Sequence, residues 1–193
     1  MEKIRSFIAI GLPSRLKLEL AQLQARLKVD NQPRIKWVNT NGMHLTLKFL
    51  GNIGPTMIDP ITEAMADATQ KIPPFTLDVQ QLGVFPSLKR VHVVWVGLGG
   101  EVDKMKQLHQ LLEANLSRLG FTPEQRPFKP HLTIARLGNE ASPDERQRFG
   151  EFITDTTSEI SQSIKVDSIN LIKSQLTREG AIYSRISSTN LLE

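Results

Sequence analysis

Two stretches decide how this chain folds: His44-Leu45-Thr46-Leu47-Lys48-Phe49-Leu50-Gly51 and His131-Leu132-Thr133-Ile134-Ala135-Arg136-Leu137-Gly138. Five of the eight positions are identical, and Leu47 against Ile134 is a conservative sixth. The chain has four histidines, and two of them open these copies. Side chains alternate along a strand, so His44 and Thr46 share one face, as do His131 and Thr133. Leu45 and Leu47, like Leu132 and Ile134, point the other way, into a core. Each copy carries one titratable imidazole and one hydroxyl on an apolar ribbon. Copies that face each other make a site of two histidines and two threonines. The 87-residue offset is too long for a solenoid repeat and suits a duplicated half.

The flanking sequence places these ribbons in a mixed fold. Residues 4–11 are short, apolar and β-rich and read as a buried strand. Leu16, Leu20, Leu23 and Leu27 follow at helical spacing. A small strand over 35–38 and a helix near 56–70, with Pro60 in its first turn or marking its real start, bracket the first copy. An alternating run covers 75–82. Residues 91–96 predict a central strand, with Gly97, Gly99 and Gly100 as its turn. Val102, Met105, Leu108, Leu112, Leu116 and Leu119 predict a second amphipathic helix ended by Gly120. After the second copy come a polar helix over 143–153 and strands over 165–175 and 181–187. Thr177-Arg178-Glu179-Gly180 joins those two as a hairpin. This order predicts an α+β chain, a duplicated unit folded as two lobes around one cleft.

Composition narrows the function. The chain has 193 residues, 39% apolar and 23% charged, which is ordinary for a globular protein. Its net charge of +4 and pI near 9.5 lean toward anionic ligands, yet no lysine or arginine run forms a nucleic-acid tail. Cysteine is absent, which excludes disulfides and thiolate catalysis. No apolar run reaches membrane-span length, and Pro13 with the charged helix behind it cuts short any signal peptide. A soluble cytoplasmic protein is expected. Gly97-Leu98-Gly99-Gly100 lacks the lysine and hydroxyl residue of a phosphate-binding P-loop, so ATP is not expected. No cluster stands at metal-ligand spacing, and neither metal nor cofactor is expected. His92, placed in the 91–96 strand, and His109, on the helix stripe, read as core-edge residues.

Core packing selects for apolar periodicity, not for the same His and Thr in the same register. A phosphodiester needs a base for water and an acid for the departing oxygen, on opposite sides of phosphorus. Two imidazoles serve both roles near neutral pH. Two threonine hydroxyls donate to the non-bridging oxygens without quenching either histidine. Arg136 and Lys48 are nearby cations for the same charge. Strict alternation puts Arg136 on the wrong face, so the strand must end, twist or bulge after Ile134.

At these residues the chain resembles the 2H phosphoesterases, named for two His-x-(Thr/Ser) motifs, and within them the RNA 2′,3′-cyclic phosphodiesterases once called 2′-5′ RNA ligases. The likeness extends to Arg5–Ile10 with Leu12-Pro13, Trp37-Val38, Phe85-Pro86, Val93–Gly97, Arg126–Arg136, Leu171–Ser174 and Gly180–Tyr183. His92 departs from it, because many relatives carry arginine there. The resemblance implies one domain over 1–193, with two pseudo-symmetric lobes and antiparallel-rich sheets facing a central cleft. It implies His44 as proton donor to the leaving 3′ oxygen and His131 as the acceptor that activates water. The implied product is an RNA 2′-phosphomonoester, with reverse ATP-independent 2′-5′ ligation of tRNA halves. The expected partners are RNA with cyclic phosphate ends or cyclic nucleotides, and the expected state is a monomer. Phe7 and Trp37 are candidates to stack on a base. Two other readings stay open: an RNA- or nucleotide-binding module with little turnover, and a phosphodiesterase for another cyclic or 2′-5′ linked nucleotide.

Overall fold

A computed structural model describes residues 3–30, 32–178 and 180–192. Nine strands and four helices are described: β1 (Ile4–Gly11), α1 (Ser14–Leu27), β2 (Ile35–Trp37), β3 (His44–Ile53), α2 (Ile58–Thr69), β4 (Phe75–Phe85), β5 (Val93–Gly100), α3 (Val102–Ser117), β6 (His131–Leu137), α4 (Pro143–Thr154), β7 (Ser163–Val166), β8 (Ser168–Thr177) and β9 (Gly180–Asn190). They form two antiparallel sheets, β3-β1-β8-β9 and β2-β6-β5-β4-β7.

The helices form where apolar residues recur at helical spacing. Leu16, Leu20, Leu23 and Leu27 of α1, and Met105, Leu108, Leu112 and Leu116 of α3, are all fully buried. Each such side chain contributes roughly 1.5–3 kcal/mol of transfer free energy. The polar helix α4 has a weaker stripe and a stronger start. Ser142 accepts from the Glu145 N–H, and the Glu145 carboxylate accepts from the Ser142 N–H. Pro143 sits at its first position, where no N–H is missed.

The duplication is written in the strand register. Gly11, Ala9, Ile8 and Phe7 of β1 oppose His44, Thr46, Lys48 and Phe49 of β3. Gly97, Trp95, Val94 and Val93 of β5 oppose His131, Thr133, Ala135 and Arg136 of β6. Both ladders skip one residue at the same place, Leu47 in β3 and Ile134 in β6. Each skip is a β-bulge that reverses the alternation beyond it. The two seven-residue stretches consequently share one burial sequence, with the sixth residue exposed between buried neighbours.

Three expectations need correction. The 97–100 glycines are not a turn after a strand ending at 96. They are the second half of β5, and the reversal falls at Gly100, whose φ is +77°. β5 starts at Val93, so His92 lies before it and is exposed. A separate strand, β7, precedes β8 and pairs with β4. Of the expected hairpin turn, Glu179 lies outside the described residues. Thr177 opposes Gly180, and the flanking strands pair throughout.

The two sheets meet at the motif strands. β3 is the outer strand of its sheet, and β2 covers only the Ala135–Leu137 half of β6. The Cα atoms of β3 and β6 approach within 8 Å. Sheets stacked face to face stand about 10 Å apart, so these strands approach along their open edges. Gln24 of α1 donates to Val38 O and Ile134 O at 2.8 and 3.0 Å, tying that helix to the β2–β6 edge.

Candidate active site

Both motif histidines are fixed in the same way. His44 Nδ1 lies 2.7 Å from Gly42 O, and His131 Nδ1 lies 2.6 Å from Lys129 O. A carbonyl only accepts, so Nδ1 carries the proton in each ring. Nε2 is left as the working nitrogen: a base when the ring is neutral, an acid when it is charged. The anchoring carbonyl comes from two residues upstream in both copies. Sequence reading missed this pair, because any residue supplies a carbonyl.

Aromatic rings wall both imidazoles. Phe7 stacks on His44 at 4.5 Å and 22°, and Tyr183 meets the ring edge-on at 4.9 Å. Phe85 and Trp95 meet His131 at 5.4 and 6.2 Å, both at steep angles. Trp95 lies across Gly83, where any Cβ would overlap the indole. A cavity of about 690 Å³ opens beside His44, lined among others by Arg5, Phe7, Phe49, Ser174 and Tyr183.

The electrostatics of His44 are distinct. Burial pushes its pKa below the ordinary imidazole value of 6.5, and the charge of Lys17 adds to that shift. The Gly42 carbonyl, accepting from Nδ1, pulls the other way. Thr46 and Thr133 are half-buried on the histidine faces of their strands. Among the described residues neither hydroxyl has a hydrogen-bond partner, and neither is sealed from solvent.

The remaining candidates separate. The bulge at Ile134 returns Arg136 to the Thr133 face, where it opposes Val93, two residues from Trp95. The equivalent bulge does the same for Phe49, which is 72% exposed and lines the His44 cavity. Phe49 was not singled out from sequence, although it is the fifth residue after His44 as Arg136 is after His131. Phe7 is 3% exposed with a face already on the imidazole, so it serves the histidine and is not free for a base. Trp37 opposes Ala135, on the core side of β6, with Lys28 Nζ 5.5 Å from its ring. The structure does not bring it to the histidines. Lys48 is likewise drawn inward. Its Nζ donates to Glu113 at 2.8 Å and to Thr122 O at 2.7 Å, at 9% exposure. His109 completes that buried group, stacked on Phe128 and 3.6 Å from Glu113. His92 lies at the surface, with the Arg146 guanidinium 3.3 Å from its Nδ1.

Known proteins resemble this chain in sequence and in fold. The family model for LigT-like phosphoesterases matches residues 10–95 and 97–183, and each matched stretch holds one His-x-Thr strand. A protein of Methanothermobacter thermautotrophicus named RNA 2′,3′-cyclic phosphodiesterase is 30% identical over 182 residues, covering 94% of this chain and 96% of the relative. The like-named protein of Aquifex aeolicus is 29% identical, with 95% of each chain covered. Among solved structures, E. coli LigT with 3′-AMP superposes with a TM-score of 0.79 over the whole of both chains, at 24% identity. The apo form of E. coli LigT gives 0.78 at 26% identity, again over both chains. With both halves matched, and with the duplicated register and paired His-x-Thr strands already described, this chain belongs to the LigT-like phosphoesterases, the 2H phosphoesterase family.

Proposed function

We propose that this protein hydrolyses RNA 2′,3′-cyclic phosphodiester ends to 2′-phosphomonoesters, with His44 and His131 as acid and base. One observation carries the reading: two imidazoles, each held through Nδ1 by a carbonyl, each leaving Nε2 for proton transfer beside a threonine hydroxyl. The names of the relatives support the substrate class. In the scheme, Nε2 of neutral His131 takes a proton from water as the water oxygen bonds to phosphorus. The P–O3′ bond breaks, and protonated His44 gives its Nε2 proton to O3′. Thr46 and Thr133 donate to the non-bridging oxygens, where negative charge grows. The exposed rings of Phe49 and Tyr183 offer a face to the terminal base.

The assignment of roles follows the family resemblance. Burial and Lys17 disfavour the His44 cation in the free protein. A phosphodiester anion seated against the ring opposes that effect, so the acid is completed when substrate binds. The scheme uses no metal, and among the described residues no group of three or more His, Cys, Asp or Glu is placed to hold one. Replacing water by an RNA 5′-hydroxyl in the same displacement yields a 2′-5′ linkage without ATP.

The test is turnover of a nucleoside 2′,3′-cyclic phosphate in EDTA. His44→Ala and His131→Ala should each lower kcat by roughly 10²–10⁴-fold. His92→Ala should retain wild-type kcat. Tight RNA binding without turnover would support a binding module instead.

A further inference from the structure

Each motif bulge meets a helix from the other half of the chain. Leu20, Leu23, Gln24 and Leu27 of α1 match Met105, Leu108, His109 and Leu112 of α3 at one offset of 85 residues. The apolar members are all fully buried, and Gln24 and His109 are 5% and 7% exposed. One polar side chain therefore stands at the same place in each buried stripe. α1 follows β1 of the first sheet but packs on the second, where Glu19 accepts from the Ser161 N–H at 2.9 Å, just before β7. α3 follows β5 of the second sheet but packs on the first. Its Asn115 donates to Ala64 O of α2 at 3.0 Å, and Thr62 of α2 bonds Ser187 of β9 at 2.7 Å.

The two polar side chains reach equivalent atoms. Gln24 Nε2 donates to the carbonyl of Ile134, the residue skipped in the β5–β6 ladder. The carbonyl of Leu47, the residue skipped in the β1–β3 ladder, lies within hydrogen-bonding reach of the His109 ring. A bulged residue loses its ladder partner, and a buried backbone carbonyl needs one. The Val38 N–H also donates to Ile134 O, at 3.0 Å. β3 is an outer strand, so among the described residues no strand lies along its far edge. His109 is held there by Phe128, stacked at 4.2 Å and 12°, and by Glu113, 3.6 Å from Nε2.

Resting on the proposed function, we infer that His109 and Gln24 are positioning residues of the reaction, crossed between the halves. His109 of α3 holds the Leu47 bulge and thereby sets Thr46 of the first motif. Gln24 of α1 holds the Ile134 bulge and thereby sets Thr133 of the second. Each threonine directly precedes its bulged residue. A bulge that relaxes therefore shifts a donor of the non-bridging oxygens, and a misplacement of about 1 Å can cost on the order of 10²-fold in rate.

Double-mutant cycles test the crossing, read as kcat on a nucleoside 2′,3′-cyclic phosphate at a temperature where thermal melts show each variant folded. His109→Leu keeps the apolar stripe and removes the donor. It should lower kcat by about three- to tenfold, within the span of couplings through a shared backbone shift. That loss should vanish in the Thr46→Val background and persist in Thr133→Val. Gln24→Leu should give the opposite pattern. His109→Gln, which places on α3 the residue found at the equivalent position of α1, should recover most of the wild-type rate. Equal losses in both threonine backgrounds overturn the inference, because the two residues then serve stability alone. Coupling of His109 to Thr133 overturns it as well, since the effect would run through Phe128 to Lys129 O, the anchor of His131. So does a His109→Gln variant as slow as His109→Leu. The Gln24 arm decides the matter where His109→Leu does not fold. A wild-type protein without turnover sinks the proposed function and this inference together. Turnover without crossed coupling sinks this inference alone.

Discussion

Replacing Lys48 by methionine separates a core cation from a catalytic one. Lys48 Nζ reaches Glu113 at 2.8 Å and Thr122 O at 2.7 Å, and the two side chains are 9% and 12% exposed. Removing one partner strands the Glu113 carboxylate, which among the described residues keeps only the Glu124 N–H at 3.0 Å and His109 at 3.6 Å. Breaking a buried pair from one side costs about 3–5 kcal/mol. For a chain of this size that lowers Tm by roughly 6–20 °C. The double variant Lys48→Met/Glu113→Met removes both charges, and most of the loss should return, because an apolar replacement of a buried pair is often neutral. The pH dependence has a definite sign. Burial lowers the His109 pKa first, Glu113 raises it, and Lys48 lowers it again. Without Lys48 the His109 pKa rises, so lowering the pH favours a His109 cation paired with Glu113, and the single variant loses less at pH 6 than at pH 8. Thermal melts of both variants at the two pH values, with turnover of a nucleoside cyclic phosphate, make the comparison. A folded double variant slowed a hundredfold would refute the reasoning, since Lys48 would then belong to the reaction.

Thr46→Val and Thr133→Val keep the β-branched shape and remove one donor each. Each should cost on the order of 2–4 kcal/mol of transition-state stabilisation, read as lowered kcat with both pH limbs in place. Limbs that move while the plateau rate holds would show that the hydroxyls tune the imidazoles instead. Lys17→Gln removes a positive charge that disfavours the His44 cation, so the His44 pKa rises. If His44 is the acid, the basic limb of kcat/KM shifts to higher pH. A shift of the acidic limb instead would exchange the roles of His44 and His131.

Much of this was legible in the sequence, for physical reasons that also mark its limit. The α1 and α3 leucines and the His-x-Thr repeats announce themselves by period, since burial must follow the geometry of helix and strand. The bulges do not. Nothing local distinguishes Leu47 or Ile134 from an ordinary strand residue, yet each reverses the side chains that follow it, in β3 as far as a second bulge at Leu50. That reversal brings Arg136 to the histidine face, meeting the need for a bulge stated from alternation alone, and brings Phe49 with it. It also leaves Lys48 buried, the counterpart of Ala135. The glycines at 97–100 read as a turn because glycine is favoured where chains reverse. They are instead a strand with little side-chain bulk, where Trp95 and Gln80 pack against the backbone. Tyr183 and the Gly42 and Lys129 carbonyls reach the imidazoles through tertiary contacts and i−2 geometry, which a residue-type pattern does not carry.

The most direct test is the product of one reaction. An RNA oligonucleotide ending in a 2′,3′-cyclic phosphate is incubated with the protein in EDTA, and ³¹P NMR resolves the 2′- from the 3′-phosphomonoester. In-line attack with His44 protonating O3′ is expected to give the 2′-phosphomonoester alone, with neither His44→Ala nor His131→Ala forming it at a comparable rate. A 3′-phosphate product, a mixture of the two, or undiminished turnover in either alanine variant would contradict the two-histidine account.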